Sequence, residues 1–219
     1  MSEHLTEIEA RVVGALVEKQ LTTPEYYPLT LNALNAACNQ KTNRDPIVSY
    51  DEATVTRALE SLREKNLVYV FYGSTSRVPK YKHMLPSVYE LEPSEVAVIC
   101  ALLLRGAQTL GELRERTGRL YEFSGIGEVN ETLDALSHRD EPLVVKLERQ
   151  AGQKEARYAH LLSGEVTVSS QSNVVPEISS TNRQSGNERM AEIERELDTL
   201  RNEFNDFRRT FEEFRKQFE

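Results

Sequence analysis

The chain has 219 residues, 28% of them charged and 39% hydrophobic, with a formal net charge of −8. This balance is ordinary for soluble globular protein and too acidic for one that coats nucleic acid indiscriminately. Two cysteines occur, Cys38 and Cys100, both inside apolar helical patterns, so buried thiols are expected rather than a disulfide or metal pair. The N-terminus is charged and amphipathic, unlike a signal peptide, and no apolar run is long enough to span a bilayer. The expectation is a cytoplasmic protein with no membrane partner.

In chain order, Thr6-x-x-Glu9 forms a capping box opening an amphipathic helix to about Gln20, with Ile8, Val12 and Leu16 inward. Thr22-Thr23-Pro24 is a turn, and Thr30 caps a second helix through Leu31, Leu34 and Cys38. The polar loop Asn39–Pro46 follows. Asp51 caps a third helix with Val55, Leu59 and Leu62 inward. Val68–Tyr72 and Arg77–Tyr81 are the strands of a hairpin around Gly73-Ser74-Thr75-Ser76. Three helices and a hairpin is the order of a winged helix-turn-helix.

The same script then repeats. Leu5, Glu9, Val12, Val13, Ala15 and Leu16 recur as Leu91, Glu95, Val98, Ile99, Ala101 and Leu102, and Thr23 and Thr109 keep that register. Val55-x-x-Ala58-Leu59-x-x-Leu62 is echoed by Val129-x-x-Thr132-Leu133-x-x-Leu136, and Leu67-Val68-Tyr69 by Leu143-Val144-Val145. Each copy closes on a histidine-bearing tail, Lys80–Leu85 and Arg157–Leu162. In the second copy Ser94 caps a helix to Arg105 that Gly106 ends, Leu110–Thr117 and Ile126–Ser137 are helical, and Leu143–Leu147 and Arg157–Leu161 are strands. The fold expectation is mainly α with small β-hairpins (α+β): two tandem winged helix-turn-helix domains over 1–85 and 86–162.

Beyond them, 163–187 reads as a Ser/Asn/Gln-rich linker. Met190, Ile193, Leu197, Leu200, Phe204, Phe207, Phe211, Phe214 and Phe218 then alternate three and four apart, a heptad seam that makes 188–219 a coiled-coil helix. With Met190 at position a, Glu196 and Glu203 occupy g while Arg201 and Arg208 occupy e, which suits a parallel homodimer. The alternative is a stripe that docks on the chain's own domains.

At Cys38-Asn39-Gln40-Lys41-Thr42-Asn43-Arg44-Asp45-Pro46 the sequence resembles the YceH-like family of uncharacterised bacterial proteins. Leu5-Thr6-x-x-Glu9-Ala10-Arg11-Val12, Thr22-Thr23-Pro24-Glu25 and Leu102-Leu103-Leu104-Arg105-Gly106-Ala107-Gln108-Thr109 carry the resemblance further, over about 4–162. It implies a tandem winged-helix protein and assigns no biochemical role. The linker and heptad tail extend past the part that the resemblance covers.

A winged helix reads duplex DNA by laying its third helix in the major groove while the wing touches phosphate. Residues 39–82 hold eight basic against five acidic side chains, the one basic stretch. Within it Thr54, Arg57 and Ser61 are the candidate contacts on the third helix, Arg77, Lys80 and Lys82 on the wing, and Lys41, Asn43 and Arg44 before the helix. Glu60 and Glu64 oppose them, and each residue also has a packing or surface ion-pair reading; Arg44 in particular is as well explained by a hold on Asp45 or a helix C-terminus. The second copy's third helix shows Glu128, Asn130, Glu131 and Asp134 outward, so that copy braces or binds a protein partner. His4, His83, His138 and His160 form no catalytic or metal motif, and no phosphate loop or nucleophile elbow occurs, so neither catalysis nor a cofactor is expected. The leading expectation is a DNA-associated regulatory or architectural protein. Its rival is an acidic tandem winged-helix protein-interaction scaffold of the chromosome-segregation type, by analogy of fold.

Overall fold

The computed structural model describes residues 4–72, 78–149 and 155–164. Arg77, most of the linker and the whole heptad seam from Met190 to Phe218 lie outside the described residues. The architecture is α+β. It runs α1 (Glu7–Thr22), a 3-10 turn (Pro24–Tyr26), β1 (Leu29–Thr30), α2 (Leu31–Cys38), α3 (Glu52–Glu64), β2 (Val68–Phe71) and β3 (Lys80–His83). After α4 (Leu85–Tyr89) come α5 (Pro93–Arg105), β4 (Gln108–Thr109), α6 (Leu110–Thr117), α7 (Ile126–Ser137), β5 (Val144–Lys146) and β6 (Arg157–His160). Two three-stranded antiparallel sheets result, ordered β1-β3-β2 and β4-β6-β5.

Local chemistry explains the element starts. Thr6 and Glu9 satisfy each other's backbone N–H groups in a reciprocal box, Thr30 accepts from the Ala33 N–H, and Asp51 accepts from the Thr54 N–H at 2.7 Å. Three expectations shift. The cap of α5 is Glu92 rather than Ser94, because Pro93 occupies the first helical position and the Glu95 carboxylate reaches back to the Glu92 N–H. Thr109 caps α6 as Thr30 caps α2, so Thr30, not Thr23, is its counterpart; Thr23 instead closes α1. The returning strand also begins later, at Lys80. Both copies gain a two-residue strand that alternation could not reveal.

The repeat is carried into the buried ion pairs. Glu9 is buried in the first half and bonded by Lys65 at 2.8 Å; Glu95 is buried in the second and bonded by Arg139 at 3.1 Å. Burial pushes the Glu9 carboxyl up, but Lys65, Ser61 and the Thr6 N–H outweigh it and hold it below the usual glutamate value.

One hydrophobic core spans both halves, from Leu5, Val12 and Leu16 through Leu34, Val55 and Leu62 to Ile99, Leu102, Leu133 and Leu136. All the described residues fall in one compact unit. The Leu5 N–H donates to the Leu162 carbonyl at 2.8 Å, tying its first helix entry to its last strand exit. Between the halves α1 packs on α5, and the two helices approach closely at Gly14. A Cβ there would lie 2.9 Å from Leu104 Cδ2 and 3.1 Å from Leu103 Cβ. Gly14→Val is therefore expected to destabilise by about 1–3 kcal/mol through overpacking. Thermal unfolding measures this, and an unchanged Tm would mean that the helices part at no cost. Cys38 and Cys100 are both buried and free. Burial pushes the Cys38 thiol up to about 12 and raises that of Cys100, so neither supplies a thiolate.

Candidate nucleic-acid interface

The Asn39–Pro46 loop is a braced structure. The Asn39 amide donates to the Tyr50 carbonyl at 2.8 Å and its carbonyl accepts from the Tyr50 N–H at 2.7 Å. The Asp45 N–H donates to the Leu104 carbonyl at 2.9 Å, and Arg11 donates to the Pro46 carbonyl. Arg44 lies at the centre of this brace. Its side chain is 0% exposed, forks onto Glu18 at 3.0 and 2.6 Å, and donates also to the Ala37 carbonyl and the Gln40 side chain. A guanidinium so enclosed has no donor left for a phosphate, which removes Arg44 from the interface. Asn43 takes a left-handed conformation, φ 60°, and its side chain accepts from Arg105. Lys41 and Asn43 are both exposed, and of the trio only Lys41 has neither a side-chain hydrogen bond nor an ion pair among the described residues.

Two further candidates on helix α3 are already engaged within the fold. Ser61 is half-buried and hydrogen-bonds Glu9, so it faces α1 rather than solvent. Thr54 is half-buried and accepts from Arg57 at 3.3 Å. The exposed face that remains carries Arg57 and Arg63 among Glu52, Glu60 and Glu64. It is a mixed surface with an acidic surplus.

The sheet is different. In the antiparallel register Tyr69 stands opposite Lys82 and Phe71 opposite Lys80, and the two pairs share one face because side chains alternate. The other face turns Val68, Val70, Tyr81 and the buried His83 inward. Tyr69 is 58% exposed and Phe71 44%, with Tyr72 and Val78 exposed beside them. This outer face joins two lysines to two aromatic rings and, among the described strand residues, carries no carboxylate. The signal was legible in the alternation of Val68-Tyr69-Val70-Phe71 against Lys80-Tyr81-Lys82, but an exposed aromatic on a strand looks like ordinary packing until the register is known.

Among the described residues the second half has no counterpart of this surface. At the matching places Val145 stands opposite Ala159, and Arg157 is spent on Glu112 at 3.0 Å and the Ala107 carbonyl at 2.8 Å. The exposed side of α7 presents Glu131 and Asp134. Among the described residues no group of His, Cys, Asp and Glu is placed to hold a metal ion, and no helix is long and apolar enough to cross a membrane.

The family profile for "Protein of unknown function, DUF480" matches residues 5–153. The chain belongs to the DUF480 (UPF0502) family. A UPF0502 protein of Opitutus terrae is 61% identical over 167 residues, 76% of this chain and 73% of its own length. UPF0502 proteins of Pelobacter propionicus and Geobacter sulfurreducens are 49% and 47% identical, covering 91% and 90% of this chain. The family profile thus stops before the linker, whereas likeness to these UPF0502 proteins runs past residue 162, further than the stretch of about 4–162 expected from the resemblance.

Proposed function

We propose that the two halves are winged helix-turn-helix modules, 1–85 and 86–162, and that this UPF0502 protein is a non-enzymatic DNA-associated regulator or architectural protein. The observation that carries the reading is the outer face of the first sheet, where Lys80 and Lys82 stand across from Phe71 and Tyr69 with no carboxylate among them. Lysines there meet phosphate, aromatic rings pack on sugar or exposed bases, and Arg57 and Lys41 extend the contact. With about four phosphates neutralised per chain, binding is weak and strongly salt-dependent. The second half, whose matching face pairs Val145 with Ala159 and spends Arg157 on Glu112, and whose α7 is acidic, braces the first. Lys80→Glu with Lys82→Glu is expected to abolish the gel shift of a duplex while leaving the Tm near that of the parent, since both side chains are only half-buried. Undiminished binding in that double variant overturns the surface.

The heptad seam Met190–Phe218 would pair two chains and bring two such faces to neighbouring sites on one duplex. Deleting 188–219 is expected to halve the mass measured by light scattering; a truncated chain of unchanged oligomeric state places the interface elsewhere.

A second reading, a protein-interaction scaffold without direct DNA contact, draws on the acidic exposed side of α7, with Glu131 and Asp134, and on the acidic surplus of α3. A pull-down with nuclease treatment separates the two, because a scaffold keeps its partners when DNA is digested.

A further inference from the structure

A second concentration of positive charge lies away from the sheet, in an open cleft of about 750 Å³ where the two halves meet. The first half contributes Lys19 from the last turns of α1 and Lys41 from the braced loop. The second contributes Arg105 from the end of α5, Arg116 from α6 and Arg119 just beyond it. Ala101, Leu104 and Leu120 supply an apolar floor. Two carboxylates share the lining, Glu18 and Glu115, but Glu18 is already taken by the fork from Arg44.

Helix ends explain part of this charge. Lys19, Arg105 and Arg116 each sit in the last turn of a helix, where carbonyl groups favour a cation. Arg116 also pairs with Glu112 at 3.4 Å. Lys41 and Arg119 have neither excuse. Both are exposed, both lie outside the helices, and neither has an ion-pair partner among the described residues. Arg105 is fixed across the halves by its bond to Asn43, and it is crowded: burial first, then the charge of Arg116, lowers its pKa from the ordinary arginine value. An anion entering the cleft would relieve that repulsion.

We propose that this cleft binds a small polyphosphate anion through Lys41 and Arg119, with Lys19, Arg105 and Arg116 around them, and so links the two halves through a ligand. The volume is in the range of small-molecule sites, and its concave shape between two packed modules suits a compact anion rather than the convex backbone of a duplex. Several converging cations favour a ligand carrying two or more phosphate groups over a single monoanion. The proposal is independent of the sheet surface and shares no residue with it except Lys41 at the margin.

The test uses the full chain and inorganic tripolyphosphate, followed by calorimetry and by Tm, with sodium sulfate at matched ionic strength as reference. Saturable binding, a Tm that rises with tripolyphosphate beyond the sulfate reference, and at least a tenfold weaker affinity in Lys41→Ala with Arg119→Ala are expected. Lys80→Glu with Lys82→Glu is expected to retain tripolyphosphate binding even where duplex binding is lost, so the two surfaces fail separately. Absence of saturable binding overturns the site, as does equal affinity in the Lys41/Arg119 variant. Loss of tripolyphosphate binding in the Lys80/Lys82 variant places the anion on the sheet, and its full displacement by a short duplex assigns the cleft to DNA; either result equally overturns the proposal.

Discussion

Replacing Arg44 by alanine is expected to lower stability by about 3–5 kcal/mol, the cost typical of removing one partner from a buried ion pair. The Glu18 carboxylate, itself only 13% exposed, would lose both of its bonds to the guanidinium. The Ala37 carbonyl and the Gln40 side chain would lose theirs as well. For a chain of this size such a loss corresponds to a fall in Tm of roughly 6–20 °C. Arg44→Lys should recover only a minor part, because a point-charge ammonium cannot hold two carboxylate oxygens and a carbonyl in one plane. Glu18→Met together with Arg44→Met is expected to recover most of the loss, since no charge is then left unpaired. Thermal denaturation of the three variants decides the matter. A Tm unmoved by Arg44→Ala, with duplex affinity reduced instead, would return Arg44 to the interface.

The second large effect is on acid stability. His83 and His160 occupy equivalent positions at the ends of the two hairpins, and burial lowers both to about 4, with Lys82 adding to the effect at His83. Geometry explains the first. His83 Nε2 donates to the Gln20 side-chain oxygen, while Nδ1 accepts from the Leu85 N–H at 3.3 Å. A second proton would have to sit on Nδ1, facing a donor. In His160 Nδ1 is buried with no partner. In the unfolded chain both rings titrate near the ordinary value of about 6.5. Between about 6.5 and 4 the unfolded state therefore binds protons that the native state refuses, and stability falls as pH drops through that window. The slope approaches about 1.4 kcal/mol per pH unit for each histidine. Glu9, held below its ordinary value, withdraws its own contribution only as pH falls through the glutamate range and below. Urea unfolding at intervals from pH 7 to pH 4.5 is expected to report an uptake approaching two protons, and His83→Gln to remove about one. A flat profile would mean that the rings are solvated in the folded state.

Much of the fold was legible because the copies repeat signals that act locally. Thr6-x-x-Glu9, Thr30, Asp51 and the helical spacing of Val55, Leu59 and Leu62 each fix a start or a face with a few residues of context. The pseudo-equivalence of His83 and His160 was legible for the same reason. The site was less so. Arg44 and Glu18 are 26 residues apart, and only the folded loop shows that one cancels the other. Ser61 lies at a helical position that faces outward by spacing, yet its side chain hydrogen-bonds the Glu9 carboxylate of α1. Tyr69 and Phe71 became a surface only through their register with Lys80 and Lys82. The cleft needs both halves at once, and no window of sequence contains it.

The salt dependence of duplex binding, in the parent chain and in Lys80→Ala with Lys82→Ala, tests the sheet surface most directly. Each lysine that neutralises a phosphate contributes about 0.9 to the slope of log K against log salt concentration. The double variant is expected to bind more weakly, with a slope shallower by about 1.8. Equal slopes in the two proteins would contradict phosphate contact at this sheet and leave the scaffold reading in its place.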